Sequence, residues 1–125
     1  MRFQGGGSSH IQPTEMTNAI EAIREKGYQV TYIQGYQNEK EELGEKQLQD
    51  TIEKLKQEYR KKDCVILYFI GLTESYEGEG YDRKNLKIPQ NQEKLLAEIA
   101  ETVGKDNIAA ISFGGALWIL VLKRM

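Results

Sequence analysis

Glu74, Glu77, Glu79 and Asp82 fall within one short stretch, broken by Gly78 and Gly80 and flanked by Tyr76 and Tyr81. Carboxyl groups in such a cluster can do proton-transfer chemistry. Glu79 is the best placed, because a glycine on each side lets the backbone bring its carboxyl close to a ligand. Shielding from water beside the Tyr81 ring would raise its pKa, as a general acid requires. Glu74 and Glu77 are weaker versions of the same case, and one of them could tune Glu79 by like-charge proximity. Asp82 and Arg83 suit a bracing role, a carboxylate accepting loop amides and a guanidinium pairing with an acid. The plainer reading of the same residues is a set of solvated acids in a loop.

Tyr76 and Tyr81 beside the acids suit carbohydrate recognition, since a ring stacks on the apolar face of a sugar, although rings also anchor loops by packing. A second candidate segment is Gln4 to His10, QGGGSSH. It is glycine-rich and leads to a helix, like a phosphate cradle. A cradle follows a strand and enters its helix directly; here no strand is expected before it, and Pro13 intervenes. A loop closing over a sugar or against a neighbouring domain fits better, with Ser8, Ser9 and His10 as substrate-contacting candidates. His10 is the sole histidine, so no histidine-rich metal cluster can form, and neither a metal nor a cofactor is expected.

The elements that must position these residues alternate along the chain. Residues 1–12 read as a loop. Thr14 is a plausible N-cap for a helix to about Lys26, with Met16, Ala19, Ile20 and Ile23 on one face, stopped by Gly27. Tyr28 to Ile33 reads as a strand. A second helix runs from about Gln47 to Lys61 with Leu48, Ile52, Leu55 and Tyr59 as its apolar stripe. Cys64 to Ile70 is apolar on both faces, as a central parallel strand is. The acidic stretch comes next, and Pro89 opens a third helix lined by Leu95, Leu96, Ile99 and Val103. Asn107 to Ser112 is a further strand. This order predicts a three-layer α/β/α sandwich with a mainly parallel, flavodoxin-like sheet. Ligands of such a sheet bind beyond the carboxyl ends of its strands, where the acidic stretch begins. Ala116 to Leu122 is an apolar tail containing Trp118.

The chain's 125 residues fit one domain, spanning 1–125, that can bury a real core. Net charge is −2, with both signs intermixed. That gives no basic field for nucleic acid and no polybasic membrane patch. Cys64, the single cysteine, excludes an internal disulfide and is expected to be a buried, inert thiol. No apolar leader or spanning run is present, which predicts a cytoplasmic location.

Several segments together resemble the C-terminal α/β domain of glycoside hydrolase family 3, the β-glucosidase family. They are RFQGGGSSHIQP, GYQVTYIQGY and DCVILYFIGLTESYEGEGYDRKNLKIPQNQEKLLAEI. The string EGYDR, then Leu86 and Pro89-x-x-Gln92, is the most specific part. The resemblance runs from about residue 2 to residue 112. It implies retaining hydrolysis of terminal β-D-glucosyl bonds, with an aspartate nucleophile on a TIM barrel and a glutamate acid/base from this domain. The two carboxyls then lie about 5–5.5 Å apart. By position that glutamate is Glu79. The implied partners are a β-glucoside and a TIM-barrel domain.

Two departures stand out. The barrel is absent, and a lone proton donor cannot run a double displacement, so the chain by itself is expected to be inactive. After Ser112 the segment FGGALWILVLKRM leaves the family pattern, as in a gene remnant or a domain-sized piece. A second reading from another class is a noncatalytic module that self-associates into a homo-oligomer through surface the barrel would cover. A third is a flavodoxin-like nucleotide binder, which a colourless protein with nothing bound would dismiss.

Overall fold

The computed structural model describes residues 12–37, 42–59, 63–72 and 87–113. The elements run α1 (Ala19–Glu25), α2 (Glu45–Glu58), β1 (Ile66–Gly71), α3 (Gln90–Val103), a 3₁₀ turn (Lys105–Asn107) and β2 (Ile108–Phe113). β1 and β2 pair in parallel, in a register from Ile66 opposite Ile108 to Gly71 opposite Phe113. Parallel neighbours need a crossover, and α3 supplies it. The chain is therefore of the α/β class with a parallel sheet, as the element order predicts.

The apolar stripes of α2 and α3 close the core. Leu48, Leu55, Leu95, Leu96, Ile99 and Val103 are buried together with Tyr68 and Ile70 of β1. Ile52 and Tyr59, the other two expected residues of the α2 stripe, pack at its margin, as do Ile66 and Ile108. Thr51 is buried among them as well. On the surface Lys94 of α3 meets Glu45 of α2 at 2.7 Å, a pair exposed enough to add little stability. α3 ends in Gly104, whose φ of 87° is a conformation only glycine adopts without strain. The Asn107 side chain then donates to the Val103 carbonyl at 2.6 Å, occupying one of the helix's last acceptors.

The first helix differs from expectation. It starts at Ala19, capped by Asn18, whose side chain accepts from the Glu21 amide at 3.0 Å. Asparagine outranks threonine at this position, and Asn18 lies next to the apolar face, whereas Thr14 would need helix through Thr17. Met16 consequently falls outside the helix and is 60% exposed. The stop is as expected: Gly27 is at φ 88°, its amide reaches the Arg24 carbonyl, and the Tyr28 amide reaches that of Ile23. These two bonds and the glycine form a Schellman motif.

Tyr28 to Ile33 is not a strand. One of its carbonyls and one of its side chains bond to neighbouring helices, the Arg24 guanidinium donating to the Val30 carbonyl and the Thr31 hydroxyl to Glu58. Tyr28 and Tyr32 are exposed, and Ile33 packs at the edge of the core.

β1 is also not buried on both faces. Tyr68 and Ile70 point into the core, while Val65 and Leu67 are exposed, because α2 and α3 join the core on one side. Cys64 precedes the strand and is half-buried, not enclosed. Pro89 is the N-cap of α3, one place before the expected first turn. Trp118 and its tail lie outside the described residues.

Backbone contact at the end of the sheet gives a direct test. A Cβ on Gly71 would collide with the Phe113 carbonyl oxygen, a backbone atom held in the ladder. Gly71→Ala is expected to lower the unfolding free energy by about 1–3 kcal/mol, read as a drop in the urea midpoint at constant slope. Leu95, at 1% exposure, sets the scale for the core, and Leu95→Ala is expected to cost about 2–5 kcal/mol in the same assay.

Candidate functional site

β1, β2 and the start of α3 meet at one edge, the carboxyl end of the parallel pair. Alternate residues of a strand aim their backbone groups at opposite edges. The Leu72 amide turns to β2 and donates to the Phe113 carbonyl at 3.3 Å. Gly71 therefore aims the other way, where the Gln92 side chain receives it. Gln92 Oε1 accepts from the Gly71 amide at 2.9 Å, and Gln92 Nε2 donates to the Gly71 carbonyl at 2.7 Å. The side-chain amide thus completes the strand end as a neighbouring peptide group would. The Tyr68 hydroxyl adds a second link, donating to the Gln92 carbonyl at 2.8 Å.

The preceding residue holds the other approach to the same edge. Asn91 Nδ2 donates to the Gln37 carbonyl at 3.2 Å. Asn91 and Gln92 are 2% and 1% exposed, so these bonds form away from competing water. Tyr36 fixes the same segment by donating to the Phe69 carbonyl at 2.8 Å. Its ring meets Tyr68 edge-on at 6.4 Å between centroids. Phe69 and Phe113 stack across the two strands at 6.1 Å. One helical turn thus gathers the segment ending at Gln37 and the strand ending at Gly71.

Burial shapes the titration of the two phenols. It pushes the Tyr36 hydroxyl up to about 12, with a smaller push from Tyr32. Burial also raises Tyr68, again with a smaller contribution from its neighbour, Tyr36. Both are hydrogen-bond donors in the neutral form and are held there. Among the described residues no group of three or more histidine, cysteine, aspartate or glutamate side chains is placed to hold a metal ion. No described helix is long and apolar enough to cross a membrane.

Glu74, Tyr76, Glu77, Glu79, Tyr81, Asp82 and Arg83 lie outside the described residues, as do Ser8, Ser9 and His10. What the structure adds is the anchoring of the residues beside the acidic stretch in the chain. Gly71 and Leu72 precede it, and Ile88 and Pro89, both buried, follow it. Asn91 and Tyr36 lie within the resembling segments, but neither stands out there as a site residue. Gln92 does stand out, as the last residue of Pro89-x-x-Gln92.

An α/β domain with an acidic segment leaving the carboxyl end of a parallel strand defines a class that includes many ligand-binding proteins. Comparison with known proteins narrows it. Residues 1–123 match the glycosyl hydrolase family 3 C-terminal domain, and the chain belongs to that family. It is 34% identical over 118 residues to thermostable beta-glucosidase B of Acetivibrio thermocellus, covering 92% of this chain and 15% of that protein. It is 34% identical over 116 residues to an exo-alpha-(1->6)-L-arabinopyranosidase of Bifidobacterium longum, covering 93% of this chain and 14% of the relative. The crystal structure of Bifidobacterium adolescentis GH3 beta-glucosidase superposes with a TM-score of 0.75 at 32% identity, over 94% of this chain and 16% of that one. The chain thus spans about one seventh of the relatives it matches.

The tyrosines supply a pH test. Below pH 10 the Tyr36 phenol is protonated in both folded and unfolded chains, and its burial contributes in full. Above pH 10 the unfolded chain releases the proton, while the folded one retains it to about 12. Stability is therefore expected to fall as pH rises through that window. Tyr36→Phe should lose about 1 kcal/mol at neutral pH, from the bond to Phe69, yet show a shallower alkaline decline in urea titrations.

Proposed function

We propose that this chain is the acid/base-bearing domain of a retaining β-glycosidase and that Glu79 is its proton donor. Glu74 is the alternate and Glu77 the weaker one. The observation that carries the reading is the family match over residues 1–123, with the first acid, Glu74, three residues after Gly71, the anchored end of β1. In this role the Glu79 carboxyl protonates the leaving oxygen and, as carboxylate, later takes a proton from the attacking water. Tyr76 and Tyr81 stack on the sugar, and Ser8, Ser9 and His10 hydrogen-bond to it. Asp82 and Arg83 brace the stretch. The nucleophile comes from a TIM-barrel domain about 5–5.5 Å away across the glycosidic bond. The isolated chain is inactive, because a proton donor alone forms no glycosyl intermediate. The natural substrates are glycosides of the kind named for the relatives, with a terminal β-glucoside the first choice.

A second reading has its own observation. Val65, Leu67 and Phe113 are 61%, 37% and 41% exposed on one side of the sheet, beside Phe69 and Ile111. A second copy laid against this row would bury it, as one sheet packs on another. Sedimentation over a range of concentrations distinguishes the readings. A monomer throughout removes self-association, and a dimer broken by Leu67→Lys supports it.

The enzymatic reading is tested by hydrolysis of an aryl β-glucoside and an aryl α-L-arabinopyranoside. The purified chain is assayed alone and mixed with an isolated family 3 barrel domain. Turnover is expected only in the mixture, falling about 100-fold or more with Glu79→Gln and much less with Glu77→Gln. Turnover by the chain alone, or full activity of Glu79→Gln in the mixture, would overturn the assignment.

A further inference from the structure

Gln92 bonds both backbone groups of Gly71 and receives the Tyr68 hydroxyl on its own carbonyl, so it touches β1 at two points. It is 1% exposed, and the nearest turn of α3 around it packs Leu95 and Leu96 into the core. A buried polar side chain at a helix start could simply fill its own hydrogen-bonding needs. This one instead takes the N–H and C=O of the last residue of a strand, which the opposite strand cannot reach. The chain then runs from Leu72 directly into the segment that carries the four acids.

We propose that Gln92 is a positioning residue, whose side-chain amide fixes the direction in which the chain leaves β1 and thereby the root of the acidic segment. The consequence for proton transfer rests on the proposed role of Glu79; the clamp itself does not. Without the amide, the Gly71 N–H and C=O must find water or other donors and acceptors, and the strand end opens. Reacting groups displaced by about 1 Å can lose about 100-fold in rate, so the clamp acts on turnover more than on substrate binding.

Amide hydrogen exchange by NMR reads the clamp without any activity. In the unsubstituted chain the Gln92 side-chain amide protons are expected to exchange at least about 100-fold more slowly than those of exposed Gln57, consistent with a buried, doubly bonded group. Gln92→Met keeps the volume and removes both bonds. It is expected to speed exchange at the Gly71 amide by about ten- to a hundred-fold, with Leu72, bonded to Phe113, changing much less. Leu96→Ala loosens the same helix while leaving the Gln92 side chain and its bonds to Gly71 unchanged in type, and should raise exchange at Gly71 and Leu72 together. Fast exchange of the Gln92 amide protons, or parallel changes at Gly71 and Leu72 in Gln92→Met, overturns the clamp. If Gln92→Met does not fold, the side-chain exchange in the unsubstituted chain decides.

In the mixture with a barrel domain, Gln92→Met is expected to lower kcat by about tenfold or more with KM nearly unchanged. An undiminished kcat overturns the link to proton transfer while leaving the clamp to the exchange data. A mixture inactive even with the unsubstituted chain counts against the proposed function and again leaves the clamp to the exchange data.

Discussion

The backbone at the end of β1 must be satisfied on both sides, and on one of them no strand of the described sheet is available. A peptide group left bare inside a protein costs about as much as a lost hydrogen bond, so the fold has to supply a substitute. Gln92 supplies it from α3. That choice constrains more than one residue. With its first turn tied to Gly71 and to the Tyr68 hydroxyl, α3 has its rotation about its own axis fixed. Its apolar residues then fall where they do: Leu95 and Leu96 one turn on, Ile99 and Val103 after them, all against the core. The polar clamp and the apolar stripe are two consequences of one helix phase.

The same turn governs the neighbouring segment. Asn91 holds Gln37, Tyr36 reaches the Phe69 carbonyl, and a Cβ at Gly35 would meet the Leu95 side chain. Residues 35–37 are thus drawn tight against α3 by backbone and side-chain contacts. This explains why Tyr36, partly buried, and Tyr68, buried, are neutral donors, and why their rings meet edge to face. Side chains here do at the strand edge what a further ladder would do in a wider sheet.

Much of this framework is legible in the residues. The three- and four-residue spacing along α2 and α3 places each expected stripe residue in or against the core, and Gly27 marks the end of α1. Three of the readings that fail have a particular physical reason. Thr14 has the chemistry of a cap, but Asn18 has it too and sits nearer the apolar face. Tyr28 to Ile33 has the composition of a strand, but a strand exists only through its neighbour, and β composition cannot name one. Val65 and Leu67 read as buried because an apolar residue does not declare which layer will cover it. The clamp was half visible. Pro89-x-x-Gln92 marks the start of α3 as specific, yet a glutamine in a first helical turn ordinarily faces water, and only the approach of Gly71 shows otherwise. The acidic residues stand out by spacing alone, whereas what anchors their segment is set by contacts between residues twenty and more positions apart.

The position of the anchors bears on how a carboxyl can be placed from this domain. Glu79 lies eight residues after Gly71, and at about 3.3–3.6 Å per residue a fixed root alone would let it range over more than 20 Å. The other root narrows that range. Ile88 and Pro89 are buried immediately before α3, so both ends of the intervening segment are tied to the same helical turn, one through Gln92 and one through the chain itself. A segment whose ends are already held together has met the closure part of the entropy cost, so it loses less on being ordered than one held at a single end. Less of the interaction with a neighbouring surface is then spent on ordering it. Building the helix start, the strand end and the clamp from one turn therefore holds the chain on both sides of that segment, at Leu72 and at Ile88, against a single element.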